Sequence, residues 1–236
     1  MFTFCLLHGD WHDGSCWEPL VGELHARGHE AVAPDMPYGD PEAGFEQRIR
    51  PALQALEGVS VPLVVVGHSV SSGYAALVAA ARPGSLLVHL CPRLGPFPSP
   101  PDAPPTFREG FPFPPKNAEG AMVWDADAAI DAMYSRLDPQ TARALAQRLR
   151  PAISPPDEFP LPGHPDVPTV LVYATEDEIF DPAWERFMAR ELLGIEPIEI
   201  PSGHFPMVED PAALADLLDQ LAREHVARPE RLPPHP

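Results

Sequence analysis

Cysteine is scarce in this chain. The 236 residues hold three, Cys5, Cys16 and Cys91, with no CxxC pair among them. That number and spacing argue against a disulfide framework or a zinc knuckle. They predict a reducing, cytoplasmic setting, with the thiols serving as small apolar filler. Basic residues are scarce as well: 16 Lys plus Arg face 34 Asp plus Glu, a formal net charge of −18. Such a surface repels phosphate backbones and anionic lipid, which excludes nucleic acid and membranes as expected partners. The charge reads as solubility and implies no cationic substrate. Long apolar runs are absent, and none approaches the ~20 residues of a membrane helix. Neither a basic n-region nor a small-residue cleavage site follows Met1, so no signal peptide is expected.

What is present is enough for one core. The composition is 44% hydrophobic, and single α/β domains commonly reach roughly 200–250 residues. Short apolar runs predict six strands at Phe2–Leu7, Glu30–Ala33, Pro62–Val66, Leu86–Leu90, Pro168–Ala174 and Glu196–Ile200. Helical spacing predicts helices at Trp17–Arg27, Phe45–Leu56, Val70–Ala81, Pro182–Leu193 and Pro211–Val226. Pro51 predicts a kink or break in the second of these. Residues 92–162 interrupt the alternation and carry almost half of the chain's 34 prolines. Within them, Asp127–Leu137 and Pro139–Leu149 keep helical patterns, which suits a helical lid with a proline-rich lead-in. The expected organisation is an α/β core from 1–91 and 163–236 with a cap at 92–162. The tail beyond Arg228 is expected to fray. Strand–helix alternation implies a mostly parallel sheet with helices on both faces, and ligands at the carboxyl ends of its strands.

Four segments at predicted strand ends carry reactive side chains. In Val66-Gly67-His68-Ser69-Val70-Ser71 a strand enters Ser69 and a helix leaves it, the setting in which a serine becomes a nucleophile. The competing reading is a plain Gly-Ser turn in the core. His204, in Pro201-Ser202-Gly203-His204-Phe205-Pro206, is the candidate base, since an imidazole can take and return a proton near neutral pH. In Thr175-Glu176-Asp177-Glu178 one carboxylate must orient that imidazole: Asp177 is the first choice and Glu176 the reserve. The loop His8-Gly9-Asp10-Trp11 follows the first strand, and the backbone N–H groups of Asp10 and Val70 are the candidate oxyanion donors.

Taken together these segments resemble the α/β-hydrolase superfamily. The opening His8-Gly9-Asp10-Trp11-His12-Asp13-Gly14-Ser15-Cys16-Trp17 looks like the HG-x-W-H-G-x-x-x-W opening of the methylesterase and hydroxynitrile lyase-like branch and its bacterial relatives. Gly67-His68-Ser69, Asp177 and Gly203-His204-Phe205-Pro206 match its triad positions. The resemblance runs from Phe2 to about Val226. It implies an α/β-hydrolase fold of about six strands, the first two of the usual eight lacking, with a helical lid. Two departures stand out: Ser71 replaces the second glycine of G-x-S-x-G, and Asp10 puts a carboxylate beside the oxyanion site. The Asp10 side chain has three readings: turned away, protonated, or used in a different reaction.

The leading expectation is a serine hydrolase that cleaves a carboxylic ester or related acyl compound through an acyl-enzyme. Lyase chemistry at the same site and a non-catalytic small-ligand pocket are the alternatives. The expected partner is a small, partly apolar substrate, with the protein a monomer or homodimer. Trp11, Trp124 and Phe205 are candidate substrate contacts, and the lid aromatics Phe107, Phe111, Phe113 and Tyr134, with Met133, form an apolar cover. No cofactor is implied. The cluster His8, Asp10, His12 and Asp13 has zinc-type ligands but lacks a second dense cluster to support it, so no metal is expected.

Overall fold

A computed structural model describes residues 1–60, 62–94 and 101–225. Its centre is a six-stranded, all-parallel sheet in the order β2-β1-β3-β4-β5-β6. The strands are β1 (Thr3–Leu7), β2 (Glu30–Val32), β3 (Leu63–His68), β4 (Leu86–Leu90), β5 (Thr169–Ala174) and β6 (Ile198–Ile200). Strands β1, β3 and β4 are buried along their whole length. That is why their sequences are continuous apolar runs and do not alternate. The edge strands β2 and β6 are short and half-exposed, which limits the unpaired backbone they offer to a neighbour.

The two faces divide the side chains with period two. Phe4, Leu6, Val64, Val66, Leu86 and Val88 point to the side of α1 (Glu18–Ala26) and α8 (Pro211–His225). Cys5, Leu7, Val65 and Leu87 point to the side of α2 (Phe45–Ala55) and α3 (Ser71–Ala80). Helix α6 (Pro182–Leu193) covers Leu171 and Tyr173. It carries the start and stop signals its sequence offers: Asp181 caps its first turn, Pro182 opens it, and Gly194 closes it at φ 64°.

Between β4 and β5 the chain leaves the sheet and builds α4 (Ala126–Met133) and α5 (Pro139–Ala146), each capped by an aspartate. Ala129, Met133, Tyr134 and Ala142 join the α1/α8 core, so this excursion is packed down onto the sheet's helices. Its return leg supplies Asp157, whose carboxylate accepts from the Phe45 N–H at 3.1 Å and caps α2. A Cβ on Gly44 would lie 2.4 Å from that carboxylate, which explains glycine there.

The structure departs from expectation in a few places. Helix α2 runs unbroken through Pro51 to Ala55. The lid helices end earlier than their apolar spacing suggested, at Met133 and Ala146. A 3-10 turn at Gly14–Trp17 and the short helix α7 (Pro206–Glu209) were not anticipated. The prolines at 96, 98 and 100, Val226 and the tail beyond Arg228 lie outside the described residues. Among the described residues no helix is long and apolar enough to cross a membrane.

Candidate active site

Among the described residues three non-glycine residues have positive φ: Trp11 at 66°, Ser69 at 56° and Cys91 at 44°. Each follows the carboxyl end of a central strand, β1, β3 and β4 respectively. Strained backbone of this kind persists only where its surroundings hold it. Ser69 is held by its N–H to Leu90 O at 3.1 Å and by its carbonyl, which accepts from Ser72 N at 3.2 Å and Arg93 N at 3.0 Å. The turn is so tight that a Cβ on Gly67 would stand 2.6 Å from both Ser71 O and Ala75 Cβ. Gly9 meets the same constraint from the other side, since its Cβ would lie 3.0 Å from Ser69 Cβ.

Ser71, in place of the usual glycine, is fully buried and employed. Its hydroxyl donates to His8 O and accepts from the Tyr38 hydroxyl. The elbow therefore accepts serine by tying it to the loop that carries Asp10. Neither the Asp10 N–H nor the Val70 N–H donates to a protein acceptor among the described residues. Both residues line one cavity of about 640 Å³.

His204 Nδ1 lies 2.6 Å from Asp177 Oδ2, with both residues buried. The other oxygen, Oδ1, accepts from Ile179 N at 2.7 Å and Phe180 N at 2.8 Å, which fixes the carboxylate. An ionised carboxylate only accepts, so Nδ1 carries the proton and Nε2 keeps its lone pair. Glu176, the reserve acid, is turned outward and paired with Arg136. Glu178 and Glu209 hold the backbone instead: Glu178 accepts from His204 N at 3.1 Å and Glu209 from Gly203 N at 3.0 Å. A Cβ on Gly203 would meet Glu209 at 2.5 Å and Glu178 at 2.7 Å.

His68 joins the two halves. Its Nε2–H donates to His204 O at 2.8 Å, and the two rings lie 4.6 Å apart between centroids. The residue before Ser69 thus sits against the histidine. Ser69 Oγ and His204 Nε2 are not hydrogen-bonded to each other in this arrangement.

His8 and His12 are tied into the scaffold around the site. His12 donates from Nδ1 to Asp10 O at 2.8 Å and accepts at Nε2 from the Tyr134 hydroxyl at 2.7 Å. Burial pushes its pKa down to about 4. His8 donates to Gly9 O and accepts from Met36 N, each at 2.9 Å, and burial lowers its pKa as well. Asp13 pairs with Arg150 at 2.7 Å. The candidate zinc cluster is thus engaged piece by piece elsewhere. Among the described residues the one group that gathers three ligand types is Cys91, Asp177 and His204, with ligand atoms within 4.8 Å of one another. Its imidazole and carboxylate already hold each other, and burial first, then Asp177, push the Cys91 thiol well up, so it stays protonated.

The profile of the alpha/beta hydrolase family matches residues 6–217. The chain belongs to that family. A pyrethroid hydrolase of Sphingobium wenxiniae is 24% identical over 248 residues, 92% of this chain and 86% of that one. Esterase PIR7B of Oryza sativa subsp. japonica is 42% identical over 76 residues, 28% of each chain. The crystal structure of the methylesterase MES16 from Arabidopsis superposes with a TM-score of 0.69 at 17% identity, covering 93% of this chain and 98% of that one. The chain thus shares its fold with the solved methylesterase structure.

Within this family member the wall of the cavity differs from the sequence expectation. Trp11 and Trp124 pack edge to face on each other at 5.8 Å, and Phe205 is wedged among His12, His68, Tyr134 and His204. None of the three lines the cavity. Phe107, Phe111 and Phe113 pack mutually, and Met133 and Tyr134 belong to the core. The apolar wall is made by Phe45, Tyr74, Met122, Ile153, Phe159 and Leu161, with Arg48 and Arg93 beside Asp10. Sequence reasoning missed these because they come from α2, α3, the segment after β4, the approach to α4 and the return leg of the lid, and share no spacing. The Asp10 carboxyl faces this cavity, and burial pushes its pKa up to about 6.

Proposed function

We propose that the protein is a serine esterase: it cleaves a carboxylic ester of a small, partly apolar molecule through an acyl-enzyme. The observation that carries this reading is the Asp177–His204 contact at 2.6 Å, with the imidazole tautomer set, beside a Ser69 held at positive φ. In the free enzyme catalytic hydrogen bonds are often long and close only around substrate. Ser69 Oγ attacks the ester carbonyl as His204 Nε2 takes its proton. Asp177 stabilises the imidazolium, and the free N–H groups of Asp10 and Val70 receive the oxyanion. His204 returns the proton to the leaving alcohol. Water, deprotonated by His204, then attacks the acyl carbonyl and releases the acid and Ser69. The lid at 92–162 closes the cavity from above and limits bulk water near the acyl-enzyme.

The test is labelling with a fluorophosphonate and turnover of 4-nitrophenyl esters. Wild type labels at Ser69 and hydrolyses the ester. Ser69→Ala keeps its fold, does not label, and loses roughly 10⁴–10⁶ in kcat. A folded Ser69→Ala variant with wild-type kcat would remove the assignment.

A further inference from the structure

We infer that the cavity beside Ser69 takes an ester bearing one carboxylate, such as a half-ester of a dicarboxylic acid, with Arg93 as the residue that binds the carboxylate. This rests on the esterase reading and names the substrate class of the same site.

Three observations support it. First, Arg93 is exposed at the cavity and its place is fixed, since its N–H donates to Ser69 O at 3.0 Å. The backbone from which its side chain springs is thereby held against the backbone of Ser69. Second, its guanidinium has no ion pair or hydrogen bond among the described residues. Every other described arginine donates to, or pairs with, a carboxylate, a carbonyl or a phenol. In a chain of 34 acids and 16 bases, a cation left without an ion pair on a cavity that reaches Val70, the residue after Ser69, needs an account. Third, Arg48 on the same wall is fully buried, and its three hydrogen bonds go to the neutral acceptors Ala43 O, Tyr74 Oη and Asp40 O. No carboxylate stands within 4.0 Å of it among the described residues. A buried cation that lacks a counter-ion costs stability unless an anion arrives.

The remaining charges narrow the class. Asp10, Asp157 and Glu158 share the lining with the two arginines, so a dianion meets repulsion while a single carboxylate meets the arginine fork. Asp10 feels both arginines, but forms no ion pair with either. The apolar walls from Phe45, Tyr74 and Leu161 suit the hydrocarbon between the ester and the acid.

The experiment compares mono-4-nitrophenyl glutarate with 4-nitrophenyl pentanoate, which match in acyl length and differ in the terminal carboxylate. Wild type is expected to favour the glutarate half-ester in kcat/KM. Arg93→Gln should lower the anionic-to-neutral ratio by about tenfold or more, the size of one charge-assisted hydrogen bond, and Arg93→Lys should recover part of it. An unchanged ratio in a folded Arg93→Gln variant overturns the inference. Binding of monomethyl glutarate to Ser69→Ala, measured by calorimetry with and without Arg93→Gln, separates this from the chemistry. If wild type hydrolyses neither ester, the esterase reading fails, and the calorimetry still decides the carboxylate site. Equal affinity in the two backgrounds overturns it.

Discussion

The buried histidines make a quantitative claim about acid stability. His12 and His89 are held neutral by burial, with pKa pushed down to about 4 and about 3. In the unfolded chain each returns to about 6.5 and binds a proton as pH falls. A depressed histidine therefore leaves stability intact above about pH 6.5 and loses it on descent toward its folded pKa. The loss is about 1.4 kcal/mol per pH unit per group. Between about pH 6.5 and 4.5 each costs about 2.5 kcal/mol, or about 5 kcal/mol for the pair. Asp10 works in the opposite sense. Its pKa is raised to about 6, so protonation on acidification returns about 2 kcal/mol. Over these three groups the loss is about 3 kcal/mol, set against the 5–15 kcal/mol typical of a domain, and Glu178 and Glu185, both with pKa raised by burial, act in the same sense as Asp10. His8, His68 and His164 shift the same way as His12 and add to the loss. The assay is denaturant unfolding at about pH 7 and about pH 4.5, in wild type and in His89→Gln, which lies outside the catalytic loops. The variant's pH 7-to-4.5 difference should shrink by about 2.5 kcal/mol whatever the substitution costs at neutral pH. An unchanged difference would refute the claim that His89 is neutral by burial.

Asp177→Asn should fold and lose about 10⁴ in kcat. Its oxygen can keep the Ile179 and Phe180 N–H groups, which leaves the amide NH₂ facing Nδ1 and moves the imidazole proton to Nε2, where it blocks attack by Ser69; a near-normal rate would shift the role to another acid. Gly203→Ala should destabilise by about 1–3 kcal/mol and depress kcat. Its methyl must displace Glu209 and Glu178, which hold the backbone of Gly203 and His204; a thermal melt and rate equal to wild type would contradict that packing. Tyr134→Phe leaves buried His12 Nε2 without its donor and should cost about 1–3 kcal/mol, read from denaturant midpoints.

The tight backbone of the candidate loops at Ser69 and His204 was legible in the sequence because its constraints are local. Gly67 and Ser69 between an apolar strand and an alanine-rich helix permit little besides a tight turn, and the Gly67 contact distances show why. Gly203 before His204 is legible for the same reason. The central strands are legible because burial on both faces leaves them mostly apolar and free of charged carboxylates and ammonium groups. The cavity was not legible. Arg48 and Arg93 sit far apart in sequence, and their relation exists only once β4, α2 and the lid's return leg meet. The aromatic candidates Trp11 and Trp124 pack on each other and Phe205 packs among His12, His68, Tyr134 and His204, away from the cavity wall. The turn Gly14–Trp17 and helix α7 span a single turn each, too short for periodicity to register.

The acidic surplus and the lid have a joint explanation at the site. Glu176, Glu178 and Glu209 crowd around His204, which would be costly if all three faced one another unrelieved. Two of them accept from backbone N–H groups, and the lid residue Arg136 pairs with Glu176 and Glu209. A second lid residue, Tyr134, holds His12, which holds the carbonyl of Asp10. A third, Asp157, caps α2 at the cavity wall. The insertion is thereby fastened to the loop of His204, the loop of Asp10 and the pocket separately. Each fastening is a polar contact from a segment that supplies no catalytic group itself. A lid joined in this way fixes the geometry of chemistry it does not perform, so Arg136→Gln should lower kcat by more than its effect on stability accounts for.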